Sequence, residues 1–449
     1  MKSIRTIFFL TAILFFSNLC FGESGSFTEL TQICKDGKER PFIVYTPSSL
    51  DKSRSNPLLV FMHGAVSSPF LKKDPLEYMK KSDLLKVAEE GGFYLMFSYG
   101  QKGATWFDNT GIDMVLKEIE ATEKKFNINS GKIFLSGFSD GGSGVFCISM
   151  KEPFKFAGFI PMNGSIAIAQ KFGKFNFFMG NTNNIPFYII NTTKDQLYPL
   201  NQIEPTVDYL KKFNSNVKFR SPKGNHEMSY IDDEKSNIVN FINNNSRGEV
   251  KSISWETDIL DDSIEWISGI KADSSFAKKD WHTPYNLRVF DSKAKFGIKY
   301  DYTYRGEGLK VKTFKYDSCT ARKMGVIEND IILMMENDSI KYPYSPFIYL
   351  SKKTGGDSTS LTLLRDNKEM VIKGKFNKGY FYRVFKPSDK SGKIEAFIED
   401  KKLKVKSSRV QEFTIDFDRL KSFDIEELIL NGKPLDLNLD GLVKIEIKD

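Results

Sequence analysis

Gly137-Phe138-Ser139-Asp140-Gly141 follows directly on the strand-like run 132–136, and a helix-compatible stretch opens at Gly142. A serine between glycines at a strand–turn–helix junction is lifted above the sheet edge, and the helix N-terminus behind it favours negative charge developing nearby. Its hydroxyl is unreactive at neutral pH without a base, and the base needs a carboxylate to orient it. The whole chain holds three histidines. His63, in Phe61-Met62-His63-Gly64-Ala65, ends a strand upstream of the serine, and His282 sits in a polar, Trp-flanked stretch far downstream. His226, in Gly224-Asn225-His226-Glu227, precedes the helical stretch 236–243 and alone combines a place in the same domain as the serine with the chain order serine, acid, histidine. It is the expected base. Asp195, in the loop after the strand 187–190, is the expected acid. Asp208, within a helical stretch, is the only other aspartate between that turn and His226, and Glu204 is held in reserve. The hole for the developing oxyanion is expected from the backbone N–H of Asp140, directly after the nucleophile, and of Ala65, after the strand 58–62. His63 and Trp106 are the candidates to line the substrate cleft, His63 with the alternative of simply packing its loop and Trp106 that of a core aromatic.

These groups need a rigid frame. From residue 40 to about 246, apolar runs at 42–45, 58–62, 93–97, 132–135, 159–162 and 187–190 are rich in β-branched and aromatic residues, and most are bounded by Gly, Pro or Asn. Between them, 75–89, 111–126 and 204–213 repeat apolar residues at helical spacing, with Ile112, Val115, Leu116 and Ile119 on one face. Continuous apolar strands alternating with helices predict an α/β domain: a mostly parallel sheet with helices on both faces. After Asn245 the pattern changes. Residues 247–300 carry Trp255, Trp266 and Trp281 without a long helix. Residues 301–378 form a compact unit with runs at 309–314, 321–325, 330–335, 361–365 and 370–372. From about 390 the alternation has period two, and Asn431-Gly432 reads as a hairpin turn. The expected division is therefore 1–22, 23–246, 247–300, 301–378 and 379–449.

Residues 1–22 read as a signal peptide: Lys2 and Arg5, an apolar run from Ile7 to Phe16, then Cys20 and Gly22 at the −3 and −1 positions. A retained anchor and a lipid-modified Cys20 are the alternatives. Export to the periplasm or beyond the cell follows, with no stable membrane span once the leader is cleaved. Removing Lys2 and Arg5 takes the net charge from +8 to +6, from +8 − 2. Cys34, Cys147 and Cys319 remain, so at most one disulfide can form and packed cores must supply the stability. The 39 Phe, 18 Tyr and 4 Trp provide enough apolar surface for that. The 65 basic and 57 acidic residues are spread along the chain with no dense Lys/Arg block, which argues against nucleic acid as a partner. Three histidines leave little for a metal site built on imidazoles, and no metal is expected.

Tyr45-Thr-Pro-Ser-Ser49, Pro57-Leu-Leu-Val-Phe-Met-His-Gly64, Trp106-Phe-Asp108 and Gly137-Phe-Ser-Asp-Gly-Gly142 resemble the secreted carboxylesterase group of α/β-hydrolases, which includes polyhydroxybutyrate depolymerase-like and feruloyl esterase-like enzymes. The resemblance spans about 38–246 and implies a carboxylic ester as substrate, small or polymeric, an acyl-enzyme at Ser139 and no cofactor. Residues 301–378 resemble a PDZ domain. There Gly308-Leu309-Lys310-Val311 would be the carboxylate-binding loop and its strand, with Lys310 where many peptide-binding members carry glycine. That likeness implies a peptide or protein C-terminus as partner, or a purely structural module. The flanking pieces, around Trp255, Trp266 and Asn431-Gly-Lys-Pro434, look like one β module split by the insertion of this unit.

Three functions fit the sequence. The first is an exported serine esterase. The second keeps the fold as a serine peptidase, with the PDZ-like unit presenting peptides. The third is a non-catalytic binding protein, against which the complete Ser139, Asp195 and His226 set argues.

Overall fold

The computed structural model describes residues 25–66, 74–342 and 344–447, so the expected leader lies outside the described residues. The first half is built on one sheet of eight strands: β1 (Ser26–Ile33), β2 (Glu39–Thr46), β3 (Asn56–Met62), β4 (Tyr94–Ser98), β5 (Ile128–Phe138), β6 (Gly158–Met162), β7 (Phe187–Ile190) and β8 (Val217–Arg220). Their spatial order is β1-β2-β4-β3-β5-β6-β7-β8. β1 and β2 are antiparallel to their neighbours, and every pairing from β4 across to β8 is parallel. This is the α/β-hydrolase fold.

Side chains alternate across each strand, so every inner strand feeds two cores. Val60, Leu135, Phe159 and Phe187 pack beneath α3 (Asn109–Lys125), α4 (Asp140–Lys151), α5 (Ile166–Phe172) and α6 (Leu200–Lys211). Leu59, Phe61, Phe134 and Tyr188 pack against α1 (Pro75–Lys80), α2 (Leu84–Gly91) and α7 (Ile231–Asn244). The stretch 75–89, expected as one helix, is two. Ser82 breaks it by accepting the Leu84 N–H on its hydroxyl at 3.3 Å. In a parallel sheet every loop at a strand's carboxyl end lies on one side, so the loops after β3, β5, β7 and β8 converge.

One polar residue in the α3 core has a measurable consequence. Glu118 is fully buried, and neither carboxyl oxygen has a hydrogen-bond partner among the described residues. Burial pushes it up to about 8. The folded chain thus holds a proton that the unfolded chain releases near pH 4.5, so stability falls as pH rises from about 4.5 to about 8 and levels off above that. Glu118→Gln is expected to flatten this slope and stabilise the protein by a few kcal/mol at pH 8.5. Urea melts at pH 5 and 8.5 check it: an unchanged pH slope in the variant contradicts the assignment.

The second half is β-rich, as its composition suggests. One antiparallel sheet runs in the order Ile298–Tyr300, Leu309–Phe314, Ile331–Met335, Ser358–Arg365, Lys368–Lys375 around its own core of Val311, Ile332, Leu361 and Leu363. This sheet starts at Ile298, so a boundary at residue 301 cuts its first hairpin: Tyr300 pairs with Val311. Strands from either side of that unit meet again in two further sheets. Ser252–Thr257 pairs with Gly392–Glu399, and Ile267–Ala272 pairs with Val410–Asp416. The Asn431-Gly432 turn has φ of 49° and 83°, the left-handed pair that a two-residue hairpin requires. Cys34, Cys147 and Cys319 are all free and buried.

Candidate active site

Ser139 caps α4 with φ 59° and ψ −116°, a backbone that few side chains tolerate, and its N–H is held by the Met162 carbonyl at 3.0 Å. The turn closes only because its glycines are bare. A β-carbon on Gly141 would sit 1.9 Å from the Met62 carbonyl oxygen, and one on Gly137 would lie 2.5 Å from the Gly141 backbone. The loop after β3 abuts the same point, since a β-carbon on Gly64 would lie 3.0 Å from the Ser139 Cβ.

The loops after β7 and β8 bring in the other two groups. His226 Nε2 lies 2.7 Å from Ser139 Oγ, and His226 Nδ1 lies 2.7 Å from Asp195 Oδ2. The imidazole side chain is 16% exposed and the carboxylate 0%, so the relay has one open end, at the serine side. Asp195 is tightly held. Its Oδ1 accepts the Leu197 and Tyr198 N–H groups at 2.8 Å each, and Oδ2 also accepts the Asn163 amide at 2.8 Å. Burial by itself would raise the Asp195 pKa, but hydrogen bonds from His226, Asn163 and the Tyr198 N–H outweigh it and hold the group below the usual aspartate value. Phe138 and Tyr198 bracket the imidazole ring, at centroid distances of 5.1 and 5.3 Å, the tyrosine edge-on.

The Asp140 N–H opens α4 directly after the serine, and Ala65 sits in the left-handed region at φ 52°. Asp140 also ties the two loops together: its Oδ2 accepts the Val66 N–H at 3.2 Å. Burial raises its pKa, opposed by that N–H and by the Tyr198 hydroxyl.

The cleft readings of His63 and Trp106, and the placing of Gly308–Lys310 as an open binding loop, are corrected. His63 and Trp106 are both fully buried, so neither lines an open cleft. The His63 ring nitrogens meet the Gly64 and Gly100 carbonyls at 2.7 and 3.0 Å, and the Trp106 indole N–H donates to the His63 carbonyl at 2.9 Å. Both brace the loop after β3 from beneath. Asp208 lies on α6 paired with Lys211, away from His226. His282 is buried between Glu256 and Ser408 at 3.0 Å each, where it links two strands of one C-terminal sheet. Gly308, Leu309 and Lys310 open an inner strand rather than a free edge: Leu309 pairs with Ile332, and the Lys310 carbonyl accepts the Asp301 N–H at 2.8 Å. The outermost strand on that side of the sheet is Ile298–Tyr300, and a groove of about 740 Å³ separates it from the helix Ser345–Ser351.

Sequence reasoning missed Asn163 and Tyr198. Asn163 follows β6, next to β7, a position as close to the site as that of Asp195, and Tyr198 lies three residues beyond the acid. Among the described residues, no cluster of His, Cys, Asp and Glu has the makings of a metal site, and no helix is long and apolar enough to cross a membrane.

Residues 49–246 match the Phospholipase/Carboxylesterase family. A bifunctional acetylxylan esterase/xylanase of Neocallimastix patriciarum is 26% identical over 174 residues, which are 38% of this chain and 23% of that protein, so the chain spans under a quarter of that relative's length. Among solved structures, fluorophosphonate-binding serine hydrolase F of Staphylococcus aureus aligns with a TM-score of 0.40 at 18% identity, over 49% of this chain and 99% of that one. The S-formylglutathione hydrolase of Staphylococcus aureus aligns with 0.39 at 17%, over 49% and 99%.

Proposed function

We propose that this chain is a serine hydrolase that cleaves carboxylic esters through an acyl-enzyme on Ser139. The unbroken relay of two 2.7 Å contacts, Ser139 to His226 and His226 to Asp195, carries this reading. His226 accepts the hydroxyl proton as Ser139 Oγ attacks the ester carbonyl. Asp195 fixes the tautomer and stabilises the imidazolium that forms. The N–H groups of Asp140 and Ala65 stabilise the tetrahedral oxyanion, with the Val66–Asp140 hydrogen bond holding their loops in register. His226 then gives its proton to the departing alkoxide. Water, deprotonated by the same imidazole, adds to the acyl-enzyme and releases the acid. All of these groups are side chains or backbone of the chain itself.

Residues 1–22 direct export, and the unit that begins at Ile298 is PDZ-like. Its edge strand Ile298–Tyr300, lying beside the helix Ser345–Ser351, suits an extended peptide better than Gly308–Lys310 does. The match of residues 49–246 to the Phospholipase/Carboxylesterase family supports ester over amide chemistry. The deciding assay offers the purified protein acyl esters of increasing chain length beside peptide amides. Ester turnover is expected to exceed amide turnover at every chain length. Faster amide cleavage moves the assignment to a peptidase, and inertness toward both ends the enzymatic reading.

A further inference from the structure

The catalytic acid is braced from outside the α/β unit. Lys293, on the segment between the strand Arg288–Asp291 and the first strand of the PDZ-like sheet, donates its ammonium to the Leu197 carbonyl. Leu197 belongs to the turn whose N–H groups hold Asp195 Oδ1. The segment is stitched down on both sides. Asp291 accepts the Gln202 amide at 3.1 Å, Ser292 accepts the Asn201 amide at 3.1 Å, and the Ser292 carbonyl accepts the Gly355 N–H at 2.7 Å.

A cleft of about 570 Å³ opens at this seam, with Asp195 and Asn225 of the catalytic unit on one wall and Phe347, Leu350 and Thr354 on the other. Its charge is one-sided. Lys194, Lys293, Lys295 and Lys353 reach it, and among the described residues the only acidic residue on its walls is Asp195, whose carboxylate is buried and already occupied by His226 and Asn163. Lys295 is paired with Asp291 and Lys353 with Glu336. Among the described residues, Lys194 and Lys293 have no carboxylate partner. Burial pushes the Lys293 pKa down, opposed by Asp291 and Asp195, so its ammonium is desolvated while its one side-chain acceptor is a neutral carbonyl. A desolvated cation facing an open cleft is best matched by an anion, and charge-assisted hydrogen bonds are stronger than those to a neutral acceptor.

We propose that this cleft binds a compact oxyanion, carboxylate or phosphate, and that the bound anion draws the Lys293 ammonium off Leu197 and loosens the turn that holds Asp195. Lys293 is then a positioning residue, and the cleft a site through which an acid, including the acid released by ester cleavage, slows turnover. This rests on the reading of Asp195 as the catalytic acid.

Binding is measured first, on full-length Ser139→Ala protein, so that it stands whether or not the catalytic reading does. Isothermal titration at constant ionic strength with inorganic phosphate and, separately, with acetate is expected to show a single site. Adding Lys293→Met is expected to weaken it by about tenfold or more, as the loss of one charge-assisted hydrogen bond does, and Lys194→Met is expected to weaken it as well. Saturation by acetate identifies a carboxylate site, and by phosphate alone a phosphate site. In the active protein, the anion is expected to lower kcat by about fivefold or more with KM unchanged. Lys293→Met is expected to start at the lowered kcat and ignore the anion, and Lys293→Arg to restore both kcat and the response. Anion binding unchanged by both lysine-to-methionine changes overturns the site. Binding that leaves kcat untouched, or a Lys293→Met protein with wild-type kcat, overturns the coupling.

Discussion

Ser139→Ala is expected to lower ester turnover by about 10⁴- to 10⁶-fold while the protein folds and melts as before. The loss is large because the side chain removed is the one that forms the covalent bond in the proposed mechanism, and among the described residues no other nucleophile is hydrogen-bonded to His226 Nε2. Cys147, the cysteine nearest in sequence, is fully buried on α4. The strained backbone at residue 139 is set by the close approach of Gly141 to Met62, not by the hydroxyl, so alanine inherits the same conformation. Steady-state hydrolysis of a short acyl ester and a thermal melt measure the two halves. Residual activity within about tenfold of wild type removes Ser139 from the chemistry.

Asp195→Asn is expected to cost about 10⁴-fold in kcat with little change in KM. Two backbone N–H groups point at Oδ1, so the amide must turn its oxygen there and its NH2 toward the place of Oδ2. That NH2 then faces two donors, His226 Nδ1–H and the Asn163 amide, where the carboxylate had accepted from both. His226 escapes the conflict by moving its proton to Nε2, which then donates to Ser139 and no longer accepts from it. The base is lost although every atom stays near its place. A crystal structure of the variant with an intact relay, together with kcat within about tenfold of wild type, contradicts the role given to Asp195.

How much of this was readable in the sequence depended on whether the cause was local. Ser139 was legible because the glycines that permit its turn are adjacent in the chain. His226 was legible because three histidines leave few choices, and Asp195 because it follows a strongly apolar strand. β1 and β8 went unread because both are edge strands with alternating or partial burial, and Val217–Arg220 is only four residues long. Asn163 and Lys293 reach Asp195 and its turn from segments distant in the chain, which only the fold makes neighbours, whereas Tyr198, three residues on, is a local partner that its residue type alone does not betray. His63 and Trp106 carry the composition of a cleft but are enclosed by their own loop. Gly308–Lys310 has the composition of a binding loop. Which of two antiparallel strands lies outermost is a matter of pairing, and the pairing puts Ile298–Tyr300 outside.

The most direct test is covalent labelling of the purified protein with a fluorophosphonate, which needs an activated serine but no knowledge of the natural substrate. Mass spectrometry is expected to find one label per chain on the peptide containing Ser139, absent in Ser139→Ala and slowed by about 10³-fold or more in His226→Ala. An unlabelled protein, a label on another residue, or labelling at an unchanged rate without the imidazole would contradict a relay that makes this hydroxyl a nucleophile.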